Sequence, residues 1–207
     1  MCNLVKTIEE RDAMTATRVR QFIGQVACGA LMLLMVGFHP NASAQLAVGA
    51  QAPKFTAPAA LAGQPFEFNL QATLSTGPVV VYFYPKAFTS GCTIEAQLFA
   101  QAMDDFEAHG ATVVGVSRDD IDTLKRFSEG PCGGRFAVAA DADGSIVRAY
   151  DAGFALMPSM ANRISYAIAP DGTVLEAFQS MSPDQHVART LAAIKSWHQA
   201  QPSAPTQ

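Results

Sequence analysis

Apolar residues recur along this chain at spacings that change from one segment to the next. Phe66-Glu-Phe-Asn-Leu70 alternates apolar and polar positions, which predicts a short strand at a sheet edge. Val79-Val-Val-Tyr-Phe-Tyr84 is continuously apolar, β-branched and aromatic, as a strand buried on both faces must be, and Pro85 ends it. From Thr93 to His109 the positions Ile94, Leu98, Phe99, Met103 and Phe106 form a helical stripe that Gly110 stops. A second buried strand is predicted over 111–116, and a helix over 119–128 with Ile121, Leu124 and Phe127 on one face. Glu129-Gly-Pro-Cys-Gly-Gly134 is a cluster of breakers and must be loop. A short strand over 136–139 and a short helix over 141–150 come next. Segments 164–169 and 173–178 flank Pro170-Asp-Gly172 as a hairpin. The last helix takes Ser182 as N-cap and Pro183 as its first residue, with Val187, Leu191, Ile194 and Trp197 as its packing face. Residues 45–65, rich in Ala, Pro and Gly, read as irregular. This order predicts one α/β domain over 45–199, a mixed sheet between helices, followed by a frayed tail at 200–207.

One run does not fit that pattern. Phe22 to Phe38 carries no charge, Arg18 and Arg20 precede it, and Asn41-Ala-Ser-Ala44 follows it. A basic start, an apolar middle and a small-x-small end predict a secretory signal over 1–44, cleaved after Ala44. Glu9, Glu10 and Asp12 do not suit such a start, whereas Met14 opens a suitable one, so translation is expected to begin there. A bacterial-looking chain with this leader is expected in the periplasm, without a membrane anchor after cleavage.

Composition narrows the function. The 207 residues are 49% hydrophobic and 15% charged, which excludes a disordered chain. Fourteen basic against 18 acidic residues argue against a nucleic-acid partner. Without the leader ten basic and 15 acidic residues remain, a net charge of −5, and two of four cysteines remain, Cys92 and Cys132. In an oxidising compartment two thiols are a disulfide or a redox pair.

The chemistry points to Pro85-Lys-Ala-Phe-Thr-Ser-Gly-Cys92-Thr-Ile-Glu95. A buried strand ends, a short loop follows, and a cysteine arrives in the first turn of a helix. Unpaired N–H groups and the helix dipole there favour the thiolate. Thr89 offers a hydroxyl in the same loop.

Pro85, Thr89 and Cys92, so spaced, match the signature of the peroxiredoxins, and the Val-Val-Tyr-Phe-Tyr strand before them resembles that family too. Asn162-Arg163-Ile-Ser-Tyr-Ala-Ile-Ala-Pro-Asp-Gly172 is similar to its arginine-bearing strand and hairpin, and the chain looks nearest the bacterioferritin comigratory, or Q-type, branch. The resemblance implies a thioredoxin-like fold and a thiol peroxidase acting on hydrogen peroxide and organic hydroperoxides without a cofactor. It implies Cys92 as the peroxidatic thiol that becomes a sulfenic acid. Thr89 and Arg163 would hydrogen-bond the peroxide oxygens, and Pro85 would shield the thiolate. Glu95 would satisfy first-turn N–H groups or orient the arginine. The plainer alternatives are a surface ion pair for Arg163 and a helix cap for Thr89.

Many members of the branch carry a second cysteine five residues after the first, where this chain has Gln97. Cys132 is then the resolving thiol the resemblance leaves, within the chain or across a dimer. A bystander or a structural disulfide are the alternatives. The family pattern implies a thioredoxin-like reductant and a monomer or homodimer. A thiol–disulfide oxidoreductase would want C-x-x-C, which Cys92-Thr-Ile-Glu95 lacks, and a non-catalytic redox-sensing module is the other rival. Asp141-Ala-Asp-Gly144 echoes a calcium loop but has Ala152 where the bidentate acid belongs, so helix capping accounts for it better. His109, His186 and His198 show no ligand spacing, and no metal is expected.

Overall fold

The computed structural model describes residues 45–154, 157 and 159–201. The predicted leader, the alternative start at Met14 and the tail beyond Gln201 lie outside them. Among the described residues no helix is long and apolar enough to cross a membrane.

The chain runs β1 (Thr56–Leu61), β2 (Gln64–Asn69), α1 (Leu70–Leu74), β3 (Val79–Phe83), α2 (Ser90–Gln101), α3 (Met103–Glu107), β4 (Thr112–Ser117) and α4 (Ile121–Glu129). It continues through β5 (Ala137–Ala140), α5 (Ser145–Ala149), β6 (Ile164–Ile168), β7 (Val174–Gln179) and α6 (Asp184–Ala200). Seven strands form one sheet in the order β2-β1-β5-β4-β3-β6-β7. β3, β4 and β5 are parallel neighbours, and the other pairs are antiparallel.

β3 lies inside the sheet, and its two faces feed two separate apolar clusters. Val79, Val81 and Phe83 pack with Ile164, Tyr166, Ile168 and Tyr150. Val80, Tyr82 and Tyr84 face the other way, into a cluster with Phe99, Phe106, Phe127 and both Cys92 and Cys132. Tyr82 stacks on Phe99 with ring centroids 4.4 Å apart, a contact worth about 1 kcal/mol beyond its buried area.

Beyond α1, which the sequence pattern does not predict, and shifts of one or two residues at other ends, four differences from the sequence expectation each have a physical reason. The stretch 45–65 is not wholly irregular, because β1 lies within it. Thr56-Ala-Pro-Ala-Ala-Leu61 has little intrinsic strand preference, but Ala62 and Gly63 both take positive φ, 48° and 76°, and close a two-residue hairpin onto β2. β5 pairs with β1 only at Ala59 and Ala60, so Pro58 lies outside the doubly paired part. The single helix expected over 93–109 starts earlier, at Ser90, and breaks at Ala102, whose N–H is shared between the carbonyls of Leu98 and Phe99. Phe99, Met103 and Phe106 still face one core across the break, which is why the stripe read as continuous. α5 is shorter than expected because Asp141 lies outside it and accepts from the N–H groups of Ile146 and Val147. That is the helix-capping role, with Asp143 accepting from the Ser145 N–H. α6 begins at Asp184, one residue later than expected: Pro183 holds the N-cap position and Ser182 donates to the Asp184 side chain instead.

Candidate active site

β3 runs antiparallel to β6 with Phe83 opposite Ile164. The C-terminal end of β3, where the cysteine loop departs, is therefore the end at which Arg163 enters β6. Two segments 71 residues apart meet there because of strand register.

Tyr84 continues alongside β4 through its N–H to the Val116 carbonyl, and Pro85, half-buried, turns the chain away. Asp119, just past β4, holds the loop: its Oδ2 accepts from the Ala87 N–H at 2.8 Å and from Ser117 Oγ at 2.9 Å. Phe88 takes a positive φ of 63°, half exposed, with its ring edge-on to Phe127 at 5.2 Å. Thr89 occupies the N-cap position of α2, and its carbonyl accepts from Thr93 N–H at 2.9 Å. Its hydroxyl makes no capping bond and donates to the Lys86 carbonyl at 2.9 Å. The cap reading of Thr89 thus holds for the backbone and not for the side chain, which stays at the exposed mouth of the loop.

Cys92 is the third residue of α2, among N–H groups that have no intrahelical partner. Its side chain is 1% exposed, and Arg163 Nη2 stands 3.4 Å from Sγ. A Cβ at Gly91 would come 3.1 Å from Nη2, close enough that the guanidinium would have to shift by a few tenths of an ångström. Arg163 is itself buried, which removes the surface-ion-pair reading, and Nη1 donates to Glu95 Oε2. Asn162 Oδ1 accepts from the Arg163 N–H at 2.9 Å and fixes the backbone where the arginine leaves the sheet.

Glu95 is fully buried. Burial outweighs the pull of Arg163 and pushes its carboxyl up to about 8. Behind it lies a residue the sequence reading passed over. His186, at the start of α6, is buried, with Nδ1 3.8 Å from Glu95 Oε1 and 2.6 Å from Ser165 Oγ. Burial pulls the imidazole down to about 4. A signal existed: His186, Thr190 and Ile194 are spaced four apart and form the fully buried stripe of α6, whereas Val187, Leu191 and Trp197 are only half-buried.

Cys132 is free and fully buried in the same apolar cluster as Cys92. Its N–H donates to the Phe127 carbonyl at 3.2 Å, and Gly133 and Gly134 turn the chain away with φ of 58° and 67°. Burial holds its thiol far above the ordinary range. Of the remaining histidines, His109 and His198 are brought together, their rings stacked at 5.5 Å. Among the described residues no group of three or more His, Cys, Asp or Glu side chains could hold a metal.

A buried cysteine at a helix start, with a guanidinium on its sulfur and a hydroxyl at the loop mouth, is an arrangement for nucleophilic sulfur chemistry. Comparison with known proteins agrees. Residues 48–177 match the AhpC/TSA family. The chain is similar to peroxiredoxin Q of Gentiana triflora, 31% identical over 164 residues that cover 76% of this chain and 73% of that one. Its fold is similar to that of peroxidoxin BcpB from Mycobacterium tuberculosis, with a TM-score of 0.66 and 29% identity, covering 72% of this chain and 96% of that one. It is likewise similar to the bacterioferritin comigratory protein of Xanthomonas campestris, with a TM-score of 0.61 and 30% identity over 68% of this chain and 91% of that one. With its thioredoxin-like mixed sheet and its cysteine loop at the end of β3, the chain belongs to the AhpC/TSA family, as a peroxiredoxin.

Proposed function

We propose that Cys92 is the peroxidatic thiol of a hydroperoxide reductase and that Arg163, Thr89 and Pro85 form its site. The observation that carries this reading is the 3.4 Å approach of Arg163 Nη2 to Cys92 Sγ. The thiolate attacks the terminal oxygen of the peroxide. A sulfur–oxygen bond forms, the oxygen–oxygen bond breaks, and the leaving oxygen takes a proton to depart as water or an alcohol, leaving Cys92 as a sulfenic acid. Arg163 stabilises the charge that moves onto the leaving oxygen, and so does the Thr89 hydroxyl once its hydrogen swings from the Lys86 carbonyl to the peroxide. Pro85 covers the sulfur. The alkyl peroxide reduction activity described for the Xanthomonas campestris bacterioferritin comigratory protein supports including organic hydroperoxides among the substrates.

In this reading Cys132 resolves the sulfenic acid, expelling water as the disulfide forms, and a thioredoxin-like dithiol restores both thiols by exchange. Both are buried, so the Gly-rich loop and the first turn of α2 must open. The leader reading adds export to the periplasm, as a monomer or homodimer. Intact mass and a thiol count on reduced protein, before and after one equivalent of hydrogen peroxide, test the scheme. Loss of both thiols and two hydrogens within one chain, abolished by Cys92→Ser or Cys132→Ser, is the expected result. Unreacted thiols after minutes would refute it, and a lasting sulfenic acid with Cys132 still free would remove only the resolving role.

A further inference from the structure

The pairing of Arg163 with Glu95 looks at first like an ordinary buried ion pair, yet the far oxygen of the carboxyl does not fit one. Oε2 accepts from Arg163 Nη1, whereas Oε1 is buried and has no hydrogen-bond donor among the described residues. What faces Oε1, at 3.8 Å, is His186 Nδ1. The state of that nitrogen follows from the other side of the ring. His186 Nε2 lies 3.0 Å from the Ser180 carbonyl, which can only accept, so Nε2 carries the hydrogen. In the neutral ring Nδ1 is then an acceptor, and the Ser165 hydroxyl, 2.6 Å away, donates to it. That hydroxyl takes the one lone pair of Nδ1, so nothing on the histidine side donates to Oε1: a charged carboxylate oxygen would be buried there without a donor, which is costlier than burying the neutral acid.

We infer that Glu95 is a neutral carboxylic acid in the reduced protein, its proton on Oε1, the oxygen without a donor, and that this leaves the charge of Arg163 undivided for Cys92. His186 is a positioning residue in this scheme, because its Nε2–H···O=C bond to Ser180 fixes which nitrogen faces the carboxyl. Charge counting agrees. An anionic Glu95 beside a Cys92 thiolate and one guanidinium would leave a net buried negative charge, and a neutral Glu95 leaves none. The groups facing Glu95 are Arg163 at the start of β6, His186 on α6, Cys92 on its own helix and Tyr82 on β3, whose phenol is driven further from ionisation by burial. Those facing His186 are Arg163 and Ser165, Asp184 on its own helix, and the Phe178 ring of β7. Burial raises Glu95 to about 8 and lowers His186 to about 4, so both groups favour their neutral forms.

Two measurements test this. In reduced protein carrying 13C at the glutamate side-chain carboxyl, one resonance is expected to titrate near pH 8, with Glu95→Gln removing it. All glutamates titrating near their ordinary value of about 4.3 would overturn the inference, and this needs no variant to fold. The second is the pH profile of the rate constant for hydrogen peroxide, which rests on the reading of Cys92 as the reacting thiol. As Glu95 ionises above pH about 8, its charge offsets that of Arg163, and the rate is expected to fall about tenfold, the equivalent of one pK unit of lost stabilisation. Glu95→Gln, permanently neutral, should flatten that alkaline limb relative to its own plateau. A limb that persists in the variant would overturn the coupling to Arg163. Failure of the peroxidase reading would remove the kinetic signal and leave the carboxyl titration in place.

Discussion

Replacing Arg163 by Gln removes the cation 3.4 Å from Cys92 Sγ while keeping a polar side chain in the buried position. Unit charges at that separation attract by about 5 kcal/mol at an effective dielectric constant of 20. The helix N–H groups remain and recover part of this. The share lost in the transition state, where charge passes from sulfur to the leaving oxygen, is about 3 kcal/mol, the size found for removing one donor from a charge-stabilising site. The rate constant of Cys92 oxidation by hydrogen peroxide should then fall about hundredfold. Stopped-flow oxidation, followed by a tyrosine or tryptophan signal and confirmed by thiol titration, measures it directly. Arg163→Lys should fall between the two, since an ammonium keeps the charge but not the fork that bonds sulfur and carboxyl together. A loss of less than about tenfold in Arg163→Gln, with melting temperature and near-UV spectrum retained, would refute the role given to the guanidinium.

Three further outcomes follow from the same geometry. Thr89→Val keeps the backbone bond that starts α2 but removes the hydroxyl, so the peroxide rate should fall at least about tenfold with little change in thermal midpoint. Asp119→Ala strands the Ala87 N–H and the Ser117 hydroxyl and should cost about 1–3 kcal/mol in urea unfolding; an unchanged midpoint would mean that the cysteine loop is not held by this carboxylate. His186 has a folded-state value below its unfolded one, so its contribution to stability is present above about pH 6.5 and is lost as pH falls toward about 4. His186→Phe should remove that acid-side slope from the denaturation midpoint, and an identical slope in both proteins would contradict it.

What could be read in the sequence was whatever local spacing encodes. Pro85, Thr89 and Cys92 lie within eight residues, and the strand before them is buried on both faces. The activated thiol and the hydroxyl beside it therefore followed from sequence order, whereas the roles of Pro85, Thr89 and Cys92 toward a peroxide came from resemblance. Arg163 was found only through resemblance, because its approach to Cys92 depends on Phe83 pairing with Ile164, a register no local pattern shows. Glu95 read as a first-turn acid, but α2 begins at Ser90 and puts it in the second turn, where its carboxyl bonds Arg163 and no helix N–H group, and its burial is a matter of tertiary packing. His186 was missed because the apolar residues Val187, Leu191 and Trp197 mark a neighbouring face of the helix, whereas the buried stripe His186, Thr190 and Ile194 is polar at two of its three positions. β1 was hidden by an Ala- and Pro-rich composition and is a strand because partners on both sides supply its hydrogen bonds.

The two thiols pose the opposite problem, since they share one core and are both closed to solvent. For Cys132 to act as proposed, its loop must give up the bonds from Cys132 N to the Phe127 carbonyl, from Gly133 N to Gly130 and from Gly134 N to Ser128. At about 1 kcal/mol net for each, that is about 3 kcal/mol before any apolar surface is exposed, so the open form is below about 1% of the population. The same burial that drives the Cys132 thiol away from ionisation in the closed form is relieved by opening. In that scheme exposure and activation are one event: Cys132 becomes a nucleophile only where it can also travel.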